Sequence, residues 1–305
     1  PAMMKRNLMK GSVIPRYSGL PTVLKENGYY NLFFMTHEGQ YDNMNAFFRT
    51  NGYDEVFSQE DYPADKVVNS FGVQDDFLYD YAIPVLNQRA ATGQPFFATL
   101  LSISNHPPYV IPPFFHPKTS EPETQIVEYA DWALRQFFEE ARKQPWFDNT
   151  IFVLEGDHGK LVGDAECELP ESYNHIPLMI YSSRIQPEEK TTFGGQVDIQ
   201  PTILGLLNID YLQNNFGVDL LKEERPCMFY TADNMVVGRN DTLLYLYNYE
   251  TQQELTYDIG NGKLNAVPMD DSFLPLKEYS FSMLQSAEFL VKHGKTLNSI
   301  PFTQQ

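Results

Sequence analysis

A carboxylate and an imidazole follow an uninterrupted apolar run in the middle of the chain. Asp157 and His158 follow residues 150–154 after Glu155 and are flanked by Gly156 and Gly159. Reactive groups in parallel α/β sheets lie at the carboxyl ends of strands, and glycines leave room for a ligand to approach. A hard oxygen beside an imidazole nitrogen suits a divalent cation such as Zn²⁺ or Mn²⁺. For an isolated pair, the alternative is a strand-end turn with a capping aspartate and a surface histidine.

Three further histidines lie at the ends of other predicted strands. His37 follows the aromatic run 30–36, and His106 follows the apolar run 95–104. Two prolines come after His106 and restrict its backbone, which suits a positioned catalytic or substrate-binding group. His175 precedes the predicted strand 176–181, so strand direction alone places His175 away from the expected active edge. For His37 an ordinary loop histidine is an equally good interpretation.

The elements that must position these groups follow from apolar periodicity. Residues 75–89, 124–143, 196–209 and 273–293 carry apolar residues at helical spacing. A further helix is predicted after Asp42 and Asn43, which could simply cap it. Residues 150–154 predict the central, buried strand of a parallel sheet. After residue 221, alternating runs at 227–231, 242–249 and 254–258 predict antiparallel strands.

Composition limits the partners. The 305 residues carry a net charge of −18, which argues against nucleic acid or an anionic membrane surface as the main partner. An anionic substrate would need local compensation, which a metal ion supplies. The two cysteines, Cys167 and Cys227, match no metal or redox spacing, and both a disulfide and two thiols remain open. No apolar run is long enough to predict a membrane span.

Four ordered stretches resemble the lipoteichoic acid synthase and phosphoglycerol transferase branch of the sulfatase and alkaline phosphatase superfamily. They are residues 37–43, residues 105–109, residues 155–159, and residues 174–178 followed by residues 197–202. The resemblance covers about residues 15–260. It implies an α/β/α sandwich with a mostly parallel sheet, within a catalytic core at 1–222 and a C-terminal α+β subdomain with a small antiparallel sheet at 223–305.

The resemblance also implies a set of site residues. Asp157 and His158 match the family's paired metal ligands, with Mn²⁺ expected first and Zn²⁺, Mg²⁺ or Ca²⁺ as alternatives. His106 matches the catalytic histidine that faces the substrate's phosphate or polar head group. The remaining expected substrate contacts are His37, Asp42, Asn43 and His175.

One part of the family pattern has no counterpart in the sequence. A first strand with an acidic metal ligand, and then a threonine nucleophile, are expected upstream of the matched region. We therefore expect a core that lacks this first strand and has weak activity at best, with strand edges exposed near Tyr30 and Thr150.

The function implied is a metal-dependent transfer of phosphoglycerol or phosphoethanolamine, or hydrolysis of a phosphodiester. The substrate would be an anionic lipid head group or an envelope glycan. Sulfate ester hydrolysis and a non-catalytic binding domain are the alternatives. The expected location is extracytoplasmic, beside a membrane anchor outside this sequence.

Overall fold

The computed structural model describes residues 14–161 and 163–297. The described chain is divided into two compact units, with the boundary along the chain between Thr150 and Ile151. The predicted domain boundary at residues 222 and 223 falls inside the second unit and stays a prediction.

A three-stranded parallel sheet organises the first unit. Strand β1 (Tyr30–Met35) lies between β2 (Glu55–Phe57) and β3 (Phe96–Leu101). Its residues after Tyr30 are all buried, as the aromatic run predicts. Because β1 pairs on both sides, the expectation of an exposed strand edge near Tyr30 is wrong. The short β2 was not predicted, because three residues carry too little periodicity.

Four helices accompany this sheet: α1 (Leu20–Glu26), α2 (Met44–Thr50), α3 (Asp75–Ala90) and α4 (Pro122–Ala141). Helix α4 buries Ile126, Tyr129, Ala133 and Phe137, which recur every three or four residues on one stripe. The Tyr129 hydroxyl donates to Asp76 Oδ1 at 2.5 Å and so ties α4 to the first turn of α3.

The second unit opens with a two-stranded antiparallel sheet. Strand β4 (Phe152–Glu155) pairs with β5 (Leu178–Tyr181), with Glu155 opposite Leu178. The prediction that β4 is the buried central strand of a parallel sheet is therefore wrong within the described residues, where β4 pairs with β5 and the two run antiparallel. Neither strand is buried, and Met179 is 55% exposed. Helix α5 (Ile199–Leu206) follows a 3-10 turn at Gln196–Asp198.

A five-stranded antiparallel sheet and helix α6 (Leu274–Lys292) complete the unit. The sheet's core is built from Val237, Leu244 and Leu246, each at most 2% exposed. At Gly238, the Ser280 hydroxyl of α6 lies where a side chain would stand, so α6 packs closely on the sheet. In order the strands are β6 (Met228–Ala232), β7 (Met235–Arg239), β8 (Leu243–Asn248), β9 (Gln253–Asp258) and β10 (Asn265–Ala266).

The predicted fold class is confirmed: the chain is α/β, with a parallel sheet and a small C-terminal antiparallel sheet. Cys167 and Cys227 are both thiols, which answers the disulfide question left open by the sequence. Among the described helices, none combines the length and apolar character needed to cross a membrane.

Candidate functional site

His37 and His106, two of the predicted site residues, follow strands that end at the same edge of the parallel sheet. β1 and β3 run in the same direction in register, so the segments after them, which carry His37 and His106, leave the same edge. A row of rings connects them. The centroids of His37 and Tyr41 are 4.8 Å apart, those of Tyr41 and Phe71 are 6.4 Å apart, and those of Phe71 and His106 are 4.2 Å apart. Tyr41 and Phe71 were not predicted, because they lie in loops without periodicity.

Three predicted histidines share one hydrogen-bond arrangement. In His37, His106 and His158, Nδ1 lies 2.8–3.0 Å from the backbone carbonyl of the next residue. A carbonyl oxygen can only accept, so Nδ1 carries the proton in each ring. In the neutral ring, Nε2 then holds the lone pair. The side chains are thus oriented to present Nε2 to a ligand.

The environments of His37 and His106 differ. His37 is 3% exposed, whereas His106 is exposed and borders a shallow cleft. The cleft encloses about 10 Å³, room for a single water molecule, so a larger ligand would bind at its mouth. Its walls are mainly apolar: Val68, Asn69, Phe71, Val73, Gln74, Ile103, Ser104, His106, Pro108 and Val110.

Asp42 and Asn43 adopt an uncommon backbone conformation. Their φ angles are 48° and 61°, both in the left-handed region that side chains rarely occupy. Both are half-buried in the 3-10 turn Tyr41–Asn43 that leads into α2. Asn43 lies at the cap position of α2 but its side chain forms no capping hydrogen bond, so the simple capping interpretation is wrong for Asn43. Two adjacent residues held in this region are typical of a functional or structurally constrained loop.

Asp157 and His158 leave the end of β4 side by side. Asp157 Oδ1 accepts the His158 backbone N–H at 2.9 Å, and Asp157 Oδ2 lies 3.7 Å from His158 Nε2. The side chains are 71% and 69% exposed. The pKa of Glu155 is raised, first by desolvation and second by the negative charge of Asp157. Negative charge is thus concentrated where a cation would bind.

The turn that carries this pair is held by the segment before β5. Gly159 donates its N–H to the Tyr173 carbonyl at 2.9 Å, and a Cβ on Gly159 would come within 1.9 Å of the Ser172 oxygen. Because β5 runs antiparallel to β4, its start adjoins the end of β4. The segment that carries His175 therefore runs along the end of β4 and the Asp157 turn, so the inference from strand direction that His175 lies at the opposite edge is wrong.

The sequence did not indicate a role for Gln196. Its side-chain amide donates to the carbonyls of Gly156 at 3.2 Å and Asp157 at 2.8 Å. Gln196 starts the 3-10 turn before α5, so this helix start is a second segment that holds the Asp157 turn. No local signal could have shown this, because the partners are about 40 residues apart.

The acidic loop at residues 163–172 is anchored at its carboxyl end. The Tyr257 hydroxyl donates to Glu168 at 2.5 Å, and Arg239 pairs with Glu171 at 2.7 Å. Leu169 is 3% exposed and belongs to the core of the five-stranded sheet. The segment leading to His175 is therefore fixed to this sheet.

Asp157 and His158 are close enough for one cation to contact both side chains. A separation of 3.7 Å is less than twice the usual metal–ligand distance of about 2.0–2.2 Å, so one ion can contact both atoms. A complete zinc site takes three or four protein ligands. Within residues 14–161 and 163–297, no group of three or more His, Cys, Asp or Glu side chains is arranged to hold a metal. The two atoms meet the distance requirement for a shared cation but do not by themselves form a complete site.

The expected site residues divide between the two units. His37, Asp42, Asn43 and His106 belong to the first unit, and Asp157, His158 and His175 belong to the second. In the first unit, His37 and His106 follow strands that end at the same edge. The single site that the resemblance implies for all of these residues stays a prediction.

The sequence of this chain matches a known family. The profile of the Sulfatase family covers residues 3–209, more than half of the chain. The chain belongs to the sulfatase family.

Two curated relatives and one solved structure narrow the comparison. Lipoteichoic acid synthase 1 of Bacillus subtilis (strain 168) is 26% identical over 270 residues, which cover 81% of this chain and 40% of that protein. Phosphoglycerol transferase I of Xanthomonas campestris pv. campestris is 25% identical over 242 residues, or 75% of this chain and 34% of that protein. The chain thus spans about two-fifths of the length of these relatives or less.

The structural comparison is with a protein of the alkaline phosphatase superfamily from Vibrio parahaemolyticus. The two share 27% sequence identity with a TM-score of 0.84, over 97% of this chain and 74% of that one. The alkaline phosphatase-like fold expected from the sequence is confirmed.

Proposed function

We propose that the chain belongs to a metal-dependent enzyme that transfers phosphoglycerol or phosphoethanolamine, or hydrolyses the corresponding phosphodiester. The observation that carries the proposal is that two atoms able to bind a metal ion, Asp157 Oδ2 and His158 Nε2, are neighbours. The other carboxylate oxygen of Asp157 and the other ring nitrogen of His158 are engaged in local hydrogen bonds. The names of the curated relatives, lipoteichoic acid synthase and phosphoglycerol transferase, support the substrate class.

Each residue has a proposed role. Asp157 and His158 hold the cation, with Mn²⁺ expected first, and a bound cation would polarise phosphoryl oxygens and offset the charge of an anionic substrate. His106 is exposed and can donate from a protonated Nε2 to a phosphate oxygen. His37, Asp42, Asn43 and His175 are proposed to contact the remainder of the head group. The predicted threonine nucleophile stays a prediction, and no step is assigned to it.

The partner proposed is an anionic lipid head group or an envelope glycan that carries glycerol phosphate. A chain with net charge −18 has no general attraction for such a substrate, so binding depends on the cation and on local donors. The proposed location remains extracytoplasmic, close to a membrane.

Cation binding provides the first test. We expect isothermal titration of Mn²⁺ into the 305-residue chain to show weak binding, because two protein donors are fewer than a complete site provides. Asp157→Asn and His158→Ala should each weaken this binding at least about tenfold, the lower limit for changes around metal ligands. His293→Ala is the matched control, since His293 also binds a carbonyl through Nδ1 but lies at the end of α6. Tight binding that survives both site variants would refute the ligand assignment.

Ligand binding provides the second test. Glycerol phosphate should shift the imidazole NMR signal of His106, and His106→Ala should weaken its binding. A stronger response to a sulfated monosaccharide would favour the sulfatase alternative, which the family match keeps open. Binding of a phosphatidylglycerol analogue without turnover in the presence of Mn²⁺, by a protein that also carries the predicted threonine nucleophile, would favour the binding-domain alternative.

A further inference from the structure

Asp75 is a buried carboxylate directly bonded to the loop that carries His106. It is the first residue of α3 and is 2% exposed. Its Oδ1 accepts the backbone N–H of Ile103 at 3.0 Å and of Ser104 at 3.1 Å. Its own backbone N–H donates to the Ser104 hydroxyl at 3.3 Å. These bonds hold the chain where it leaves β3, two residues before His106.

The cost of burying this carboxylate shows what the bonds do. Burial raises the pKa of Asp75, whereas the two backbone N–H groups and the Ser104 hydroxyl lower it. A buried carboxylate is tolerated only when such donors satisfy it. The donors come from one loop, so the loop must occupy this position whenever Asp75 is ionised in the folded chain. His106 is further tied to the loop, because its N–H donates to the Ile103 carbonyl at 2.8 Å.

The residues just before Asp75 contact the same loop at three more points. The ring of Phe71 packs on the ring of His106, with centroids 4.2 Å apart. The Gln74 side chain donates to the Val110 carbonyl at 2.6 Å, and the Asn69 side chain donates to the Pro108 carbonyl at 3.5 Å. Residues 69–75 therefore contact both ends of the His106 loop and the imidazole between them.

The same segment also contacts the end of β1, next to His37. The Val73 N–H donates to the Thr36 carbonyl at 3.2 Å. Gly72 has a φ of +88°, and a Cβ there would lie 1.8 Å from the Thr36 oxygen. Only glycine allows this approach of the two backbones. Residues 69–75 thus touch both histidine-bearing strand ends.

We infer that residues 69–75 form a positioning element that fixes His106 relative to His37, with Asp75 as its anchor to the His106 loop. Asp75 is a positioning residue and touches no substrate. That the fixed imidazole serves phosphate binding rests on the function proposed above, whereas the positioning itself can be measured without a ligand.

The test observes the imidazole signals of the six histidines of the full chain by NMR, with His106 assigned from its loss in His106→Ala. Asp75→Ala should shift or split the His106 signal and leave those of His116 and His293 in place. Asp75→Asn should have a smaller effect, because an amide oxygen can still accept the two N–H groups. Asp76→Asn is the matched control: it alters a hydrogen-bonded carboxylate that contacts Tyr129 of α4 rather than the loop.

A pair of glycine variants tests the other contact. Gly72→Ala should move the His37 and His106 signals together. Gly93→Ala is the control, since Gly93 also has a positive φ, +76°, but a Cβ there meets no atom of the described chain within 4 Å. If the two substitutions only destabilise the fold, both variants should melt at a lower temperature without a selective shift of the His37 and His106 signals.

Affinity provides a separate result. Glycerol phosphate should bind Asp75→Ala at least about tenfold more weakly than wild type, a change that is readily resolved. If wild type does not bind glycerol phosphate, the proposed function fails, while the imidazole signals still decide the positioning. If the His106 signal coincides with that of wild type in Asp75→Ala and in Gly72→Ala, the positioning role is refuted; if Asp75→Ala does not fold, the signal in Gly72→Ala decides alone.

Discussion

Arg225→Met is expected to be among the most destabilising single substitutions in the second unit. Arg225 and Asp198 form a buried ion pair whose side chains are 5% and 0% exposed. Asp198 accepts Arg225 Nε at 2.7 Å and Arg225 Nη2 at 2.5 Å. It also accepts the N–H groups of Gly195 and Val218, each at 2.8 Å. The pair therefore connects the start of α5 to two later segments of the unit.

The magnitude follows from what the substitution leaves behind. Methionine removes the guanidinium and leaves Asp198 charged and buried, with its two backbone donors as the only compensation given by these contacts. Breaking a buried pair in this way costs about 3–5 kcal/mol. Against a typical total of about 5–15 kcal/mol, this is a large loss. It should also loosen Gln196, two residues away, and with it the Asp157 turn.

The assay is urea denaturation followed by far-UV circular dichroism. Tryptophan fluorescence separates the units, because both tryptophans, Trp132 and Trp146, belong to the first. Lys190→Met removes the same charge from an exposed pair with Glu188 and should cost less than about 1 kcal/mol. Adding Asp198→Asn to Arg225→Met should recover part of the loss, since the buried charge is removed. A loss below about 1 kcal/mol for Arg225→Met, or no recovery in the double variant, would contradict the reasoning.

Two further predictions concern pH and a close backbone contact. Burial raises the pKa of Asp75 above its value in the unfolded chain. As the pH rises, the unfolded chain therefore loses this proton before the folded chain does. The free energy of unfolding, relative to Asp75→Asn, should fall as the pH passes from the unfolded to the folded pKa of Asp75. Asp270 should show the opposite slope, because hydrogen bonds from Ser272 lower its pKa; its stabilisation should be lost as the pH falls. Denaturation between pH 3 and 7 checks both, and slopes of equal sign would contradict the assignment. Gly159→Ala should destabilise by about 1–3 kcal/mol or more and weaken Mn²⁺ binding, because its Cβ would come within 1.9 Å of a backbone oxygen. Gly163→Ala is the control, with no atom of the described chain within 4 Å of a Cβ; equal metal affinity in the two variants would count against the constrained turn.

Local sequence was sufficient where one segment contains the whole signal. The aromatic run of β1, the apolar run of β3 and the stripe on α4 identify their elements, because burial selects apolar residues at the period of each structure. For the same reason the sequence placed His37 and His106 after strands, and parallel pairing then brings both to one edge.

The apolar run of β4 illustrates the limit of that signal. It indicates a strand, but the pattern does not encode which strand pairs with it or in which direction. The antiparallel pairing with β5 is what brings the segment of His175 alongside the Asp157 turn, against the inference from strand direction.

Only the tertiary structure decided which residues hold the candidate site in place. Asp75 meets Ile103 across 28 residues, and Gln196 meets Gly156 across 40. Gly72 is required by a backbone 36 positions earlier, that of Thr36. Aspartate at a helix start, glutamine in a turn and glycine in a loop each have ordinary local explanations. Their specific roles depend on groups that folding brings close, which no pattern within a single segment can specify.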